Sequence, residues 1–241
     1  MSHDAAARAE ALLAVGRANE AIEILSRELA TEPDDVWLLE VLVRAQLQID
    51  HEDALKTAET LVRLEPDYAY GYRFCAIAHD QVGRRDEAIQ YARTASTLAP
   101  DDPYVLSTHA VIAGRRKKGH WEGMNAAKRA VEVAPGMAVG YFAGGMVELS
   151  EGHWRRSAKW FERALEIDPH DRAAQVNLAI AREAAGDVVA ALGGVDGVLR
   201  FDPTDEHARE TLDGMVYSTI VHLLWVVLAL LFVVVAVRGA L

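Results

Sequence analysis

The sequence predicts an all-α protein: an array of helical repeats followed by a single membrane-spanning helix near the C-terminus. Three observations support this fold class. Prolines recur at a nearly fixed spacing, glycines recur at a second fixed position between them, and a long apolar stretch without charge precedes the last residues. A fixed period near 34 residues is typical of repeat arrays. An apolar run of about 20 residues is typical of a membrane helix.

Composition limits the classes of function. At 241 residues the chain has room for one or two domains. With 51% hydrophobic and 25% charged residues, it is not predicted to be disordered. Acidic residues outnumber basic ones 36 to 25, so the net charge of -11 argues against a nucleic-acid partner, which needs clustered cations. Cys75 is the single cysteine, so no intramolecular disulfide is possible.

The prolines divide the chain into units. Six of the seven stand 33, 34, 35, 34 and 34 residues apart: Pro33, Pro66, Pro100, Pro135, Pro169 and Pro203. Proline lacks an N–H and restricts the residue before it, so each one ends a helix. Aspartates that follow these prolines are predicted to cap the next helix.

Glycines mark the middle of the units. Each stands 17 residues before one of these prolines: Gly16, Gly83, Gly152 and Gly186. Glycine at a helix end supplies the left-handed conformation that terminates the helix. Each unit is therefore predicted to be helix, glycine turn, helix, proline turn. Two units depart from the pattern: one has Ile49 and Asp50 at the expected glycine, and the other has Gly119 after two extra residues.

The units resemble tetratricopeptide repeats. One reads Tyr72-x2-Cys75-Ala76, then Ala88-x3-Ala92-x2-Ala95, then Pro100, and another reads Ser157-x3-Phe161-x2-Ala164, then Pro169. The resemblance covers about residues 2–205. It implies a right-handed superhelical solenoid of about six helix-turn-helix repeats, with these bounds: 2–34, 35–68, 69–102, 103–137, 138–171 and 172–205.

The resemblance also implies a binding surface. In this family the first helices line a concave face that holds an extended peptide or a helix of a protein partner. The candidate groove residues are Tyr70, Arg73, Phe74, Ile77, Tyr104, Thr108, Val111, Val139, Phe142, Met146 and Asn177. The alternative for each is simple packing between repeats. Asn177 matches one position of the two-carboxylate clamp of chaperone-binding relatives, but no complete clamp is present.

A run of cations interrupts the otherwise acidic chain at Arg115, Arg116, Lys117 and Lys118. Two interpretations stay open. Such a run usually forms a solvated face. The alternative is a basic patch that docks anionic lipid headgroups or an acidic partner.

Residues 215–237 contain no Asp, Glu, Lys or Arg and are predicted to span a lipid bilayer as one helix. Residues 206–214 are then a helical linker and 238–241 a short tail. The N-terminus lacks the basic and apolar regions of a signal peptide, so the repeats are expected on the cytoplasmic side of a single-pass protein. The Ala-, Val- and Arg-rich composition favours a bacterial plasma membrane.

We find no catalytic motif, no metal-binding set and no cofactor fingerprint in the sequence. The sequence therefore predicts a membrane-anchored adaptor or scaffold for protein–protein interaction rather than an enzyme. One alternative is a chaperone-like or envelope-assembly factor for apolar client segments. A second is an adaptor of the type that drives organelle fission from a C-terminal tail anchor.

Overall fold

The structure, a computed structural model, describes residues 2–116 and 118–239, except for the side chains at 2–3, 201, 222, 226–227 and 229–239. In these ranges the chain forms thirteen α-helices and no β-strand. They are α1 (Ser2–Ala14), α2 (Ala18–Leu29), α3 (Val36–Gln46), α4 (His51–Leu64), α5 (Ala69–Gln81), α6 (Arg85–Leu98), α7 (Pro103–Gly114), α8 (His120–Val133), α9 (Ala138–Ser150), α10 (Trp154–Ile167), α11 (Arg172–Ala184), α12 (Val188–Phe201) and α13 (Glu206–Gly239).

The chain divides into two compact units, unit 1 (Met1–Glu151) and unit 2 (Gly152–Leu241). In unit 1 every helix packs against the next, and the first helices α1, α3, α5, α7 and α9 also pack against one another in succession. The second helices α2, α4, α6 and α8 make no such contacts with each other. The first helices therefore form the inner layer of unit 1.

Left-handed residues end the first helices as the glycine spacing predicts. Gly16, Gly83, Gly152 and Gly186 have φ values of 76°, 81°, 73° and 92°. These conformations favour glycine, because a side chain would strain the backbone. The prediction for these four glycines is confirmed.

The turn after α7 corrects the prediction for Gly119. Lys118, not Gly119, is the left-handed residue, with φ 68°. Lys118 stands 17 residues before Pro135, so this unit carries one extra residue rather than two. Gly119 is required for a different reason: a Cβ there would lie 1.8 Å from the carbonyl oxygen of Ala113.

Aspartates two residues after the prolines cap three of the following helices. Asp35 accepts hydrogen bonds from the backbone N–H groups of Trp37 and Leu38 at the start of α3. Asp102 caps α7 in the same way, and Asp171 caps α11. Each carboxylate satisfies N–H groups that have no partner within the helix, so it fixes where the helix begins.

Glycine also allows two helices of unit 1 to approach closely. A Cβ on Gly123 of α8 would lie 2.7 Å from the carbonyl oxygen of Ala110 on α7. A Cβ on Gly114, at the end of α7, would lie 2.9 Å from Cγ2 of Val147 on α9. These contacts leave no room for a larger residue, so they set the spacing of α7 against α8 and of α7 against α9.

The C-terminal helix α13 runs without a break through the predicted helical linker 206–214 and the predicted span 215–237. Ala208, Leu212 and Met215 pack in the core of unit 2, and Met215 is 1% exposed, so it does not face a bilayer. Among the residues that the structure describes, no helix is long and apolar enough to cross a membrane. The structure thus does not support the predicted span, of which the side chains at 222, 226–227 and 229–237 lie outside the described part.

Candidate functional site: a groove on the first helices of unit 1

A pocket of about 260 Å³ opens between α5, α7 and α9 on the inner layer of unit 1. Seven of the eleven predicted groove residues line it: Arg73, Ile77, Tyr104, Thr108, Val111, Val139 and Phe142. We call this pocket the groove. Most of its wall is aliphatic or aromatic, so burying an apolar segment there is favourable.

Arg73 is the cation at one end of the groove. Its Nε donates a hydrogen bond of 2.9 Å to Oγ1 of Thr108, whose own hydroxyl donates to the carbonyl oxygen of Tyr104. Three aromatic rings surround the guanidinium: its Cζ lies 5.4 Å from the ring centre of Tyr70, 5.5 Å from that of Phe74 and 6.0 Å from that of Tyr104. Burial lowers the pKa of Arg73 from its usual value, since it disfavours the charged form.

Acidic groups near Arg73 are bonded to other residues. Asp102 accepts a hydrogen bond of 3.1 Å from the Tyr70 hydroxyl and also caps α7. Burial, followed by the charge of Asp102, raises the pKa of Tyr70 to about 12. Glu40 accepts a hydrogen bond from the hydroxyl of Tyr68, whose ring stacks on Tyr70 with 5.8 Å between ring centres. These contacts hold the aromatic rings in place at this end of the groove.

The structure places the other predicted groove residues differently. Phe74 is 2% exposed and belongs to the core beneath Arg73, so it supports the groove without facing it. Met146 is half-buried on α9 outside the groove lining. Asn177 lies in unit 2, where it is 9% exposed and its Nδ2 donates to the carbonyl oxygen of Ala173, 2.8 Å away.

Two of the four residues of the predicted basic patch lie beside carboxylates of the chain. Arg115 forms an ion pair with Asp80, and Arg116 lies 3.3 Å from a carboxylate oxygen of Asp86. Lys118 is exposed in the turn, and Lys117 lies outside the described residues. Arg115 also lines the groove. Its pairing with Asp80 fits the first interpretation, a charged face satisfied by this chain's own acids.

The groove residues predicted from the sequence omitted three polar members. Asp80 and Gln81 lie in the last turn of α5, three and four residues beyond the predicted Ile77. Ser107 of α7 is 4% exposed, and its hydroxyl oxygen is buried without a hydrogen-bond partner among the described residues. Helical spacing from Ile77 and Tyr104 was the available signal, because residues three or four apart share a face.

A larger cavity, of about 750 Å³, lies in unit 2 between α10, α11 and α12. Its wall includes Gly193, Gly194 and Gly197, together with two arginines that are already paired, Arg172 with Asp202 and Arg182 with Glu162. None of the predicted groove residues lines this cavity. The groove of unit 1 therefore remains the candidate site.

Two buried groups of α5 lack the properties of catalytic residues. Burial raises the pKa of the Cys75 thiol to about 12, so the nucleophilic thiolate is not formed near neutral pH. Burial also lowers the pKa of His79, whose two ring nitrogens are buried without hydrogen-bond partners in the described part of the chain. A histidine that neither donates nor accepts has no second group to orient it for proton transfer.

Comparisons with known proteins agree with this architecture. A family model described as tetratricopeptide repeat matches residues 48–103 and 142–206, slightly more than half of the chain. The chain belongs to the tetratricopeptide repeat family. No curated protein matches the sequence.

Solved structures of tetratricopeptide repeat proteins are similar in fold. A protein of Thermus thermophilus, TTC0263, is 22% identical with a TM-score of 0.67, over 75% of this chain and 98% of that one. One from Parabacteroides merdae is 14% identical with a TM-score of 0.64, over 91% and 87%.

A chain of the APC/C hetero-tetramer Cut9–Hcn1 is 17% identical with a TM-score of 0.70, and this protein covers only 43% of it. At these identities the likeness shows the fold alone.

Proposed function

We propose that this tetratricopeptide repeat protein is a non-enzymatic adaptor whose groove in unit 1 holds a peptide or helix of a protein partner. The proposal rests on one observation, which is that the candidate residues meet in one place. Candidate residues from three successive first helices, chosen from their position in the repeat, line a single pocket on the inner layer. An apolar pocket with a few polar groups is the usual form of a binding site.

The lining suits a segment rather than a small cofactor. Val111, Val139 and Phe142 supply apolar surface, while Arg73, Asp80 and Gln81 supply polar groups at the ends. Tyr104 is 43% exposed beside Arg73 and is free to cover one side of a bound segment. Aromatic residues and arginine dominate the energy of such interfaces, so Tyr104 is the best single residue to remove.

A site-specific crosslinker tests whether the groove is occupied. Gln81 lies at the groove and Gln90 is exposed on α6, a second helix, so the two positions offer a matched pair. We expect a photo-crosslinking residue at 81, and not at 90, to capture one defined partner from the native cell. Equal capture from both positions would exclude the groove. Capture of many unrelated apolar segments from 81 would favour the chaperone-like alternative.

The captured partner then allows a quantitative test. Tyr104→Ala should weaken its binding about 30-fold or more, the loss expected of an aromatic anchor. Trp121→Ala is the matched control, because Trp121 is 76% exposed on α8 and lies outside the groove lining. Both variants should keep the wild-type melting temperature. If Tyr104→Ala bound the partner as tightly as the wild type, the groove would be excluded as the binding site.

Membrane attachment through the predicted span 215–237, with Met215 at its start kept in the core of unit 2, is the second part of the proposal and rests on the sequence. Its support is the absence of charged residues in that segment and the exposure of Leu223, Leu224 and Trp225 at 61%, 57% and 68%. The full chain should resist extraction from its membrane at alkaline pH. A chain ending at residue 220, which keeps Met215 in the core of unit 2, should be extracted. Extraction of the full chain would refute the attachment.

A further inference from the structure

The guanidinium of Arg73 is half-buried, and in the part of the chain that the structure describes no carboxylate is in ion-pair contact with it. Its Nε donates to Thr108. Asp102 and Glu40 act on the charge only from a distance, and each already accepts a hydrogen bond from a tyrosine hydroxyl. Three other arginines of unit 1 have a carboxylate partner: Arg44 pairs with Glu10, Arg93 with Glu122 and Arg115 with Asp80. A partly buried charge without an ion-pair partner is costly, so this arrangement points to an anion supplied from outside.

The surroundings of Arg73 select the kind of anion. Tyr70, Phe74 and Tyr104 hold the guanidinium by its faces, so its in-plane N–H groups remain for hydrogen bonding. Those N–H groups form a planar fork that matches the two oxygens of a carboxylate. At the other end of the groove Arg115 is already paired with Asp80, so that end offers no unpaired cation for a second acid. The site thus suits one carboxylate followed by apolar groups.

The position of Arg73 favours an acidic side chain within a partner segment over the carboxylate at the end of a partner chain. Arg73 lies on α5, the third of the five first helices that line the inner layer of unit 1. A segment bound along this layer has two first helices to contact on each side of α5. We propose that the groove recognises an internal Asp or Glu of a partner segment, with its carboxylate on Arg73 and a neighbouring apolar side chain on Val111, Val139 and Phe142. This inference rests on the proposed function of the groove.

Random nonapeptides displayed between constant flanks test the proposal without knowledge of the natural partner. Selection on the full chain should enrich one acidic position next to apolar residues. If no peptide is enriched on the wild-type groove, the proposed function itself fails. Enriched peptides without an acidic position would overturn the inference and leave the groove as a binding site. Preference for peptides with a free C-terminal carboxylate, abolished by amidation, would also overturn it.

The best synthetic peptide then measures the pairing directly. Exchange of its acid for the matching amide should weaken binding to the wild type about 30-fold or more, the loss typical of breaking a buried charge pair. The same exchange should change affinity for Arg73→Met by less than about threefold, since the partner of the acid is already missing. Arg27→Met, on an exposed arginine of α2, should behave as the wild type. Equal losses on all three proteins would refute the role of Arg73.

Stability separates a ligand-binding arginine from a structural one. Arg73→Met keeps much of the apolar stem and removes a charge whose burial is unfavourable, so its melting temperature should equal or exceed that of the wild type. Thr108 keeps its hydrogen bond to the carbonyl oxygen of Tyr104. A lowered melting temperature would indicate that Arg73 serves the fold, and would overturn the inference even if binding were lost. The amide exchange in the peptide remains informative because it changes no protein residue.

Discussion

Glu122 of α8 joins three helices through one carboxylate, and replacing it should weaken unit 1. The Arg93 guanidinium on α6 donates hydrogen bonds of 2.7 and 2.8 Å to the two oxygens of Glu122. Nε2 of His109 on α7 lies 2.9 Å from one of them. These contacts, with the Arg93 hydrogen bond the largest, lower the pKa of Glu122 from 4.5 to about 2. At about 1.4 kcal/mol per pKa unit, this difference corresponds to about 3 kcal/mol.

Solvent reduces that value. The side chain of Arg93 is 45% exposed, so screening leaves about 1–2 kcal/mol for the loss caused by Glu122→Gln at pH 7. A lowered pKa in the folded state stabilises the protein above pH 4.5, and the contribution disappears as the pH falls through about 2. The difference between Glu122→Gln and the wild type should therefore shrink to about half or less at pH 3.

Urea unfolding at pH 7, 5 and 3 measures both effects. Glu132→Gln is the control, because Glu132 is 66% exposed and only contacts Arg129 at 3.5 Å, three residues earlier. The control should stay within about 0.5 kcal/mol of the wild type at every pH. A loss for Glu122→Gln that did not exceed the control, or that grew as the pH fell, would refute this account of the cluster.

Three further changes follow from buried contacts. Gly123→Ala should lower the free energy of unfolding by about 1–3 kcal/mol through its contact with α7, whereas Gly136→Ala, with open space around its Cβ, should not; thermal denaturation compares them. Phe74→Ala should lower the free energy of unfolding by about 3–5 kcal/mol, measured by urea unfolding, because the change leaves a cavity in the core. A loss below about 1 kcal/mol would place Phe74 outside the core. Burial lowers the pKa of His79 in the folded protein, so as the pH falls the unfolded chain takes up the proton at a higher pH than the folded protein does. The wild type should therefore lose stability as the pH falls below 6.5. His79→Leu should remove that part of the pH dependence, and an unchanged slope in urea unfolding at pH 7.5 and 5.5 would contradict it.

The repeat architecture was readable from the sequence because its signals are local. A proline ends a helix through its own ring, a capping aspartate acts on N–H groups two or three residues away, and a left-handed glycine needs only its missing side chain. The groove positions came from the resemblance to tetratricopeptide repeats, whereas the same local rules, applied with the period near 34, predicted the helices and the turn glycines. They failed in the turn after α7, where Lys118 adopts the left-handed conformation despite its side chain.

The tertiary structure decided which of these residues line the groove and which are buried or paired within the chain. The ion pair of Arg115 with Asp80 and the burial of Phe74 depend on residues about one repeat away in the chain, so no local pattern distinguishes them from exposed groove positions. Met215 was likewise assigned by its apolar neighbours in sequence, while its packing against α11 and α12 places it in the core of unit 2. Arg73 is the clearest case. Its type and position were visible in the sequence, as were Tyr70 and Phe74 on the same helix, but its contacts with Tyr104 and Thr108 arise only when α5 and α7 pack side by side.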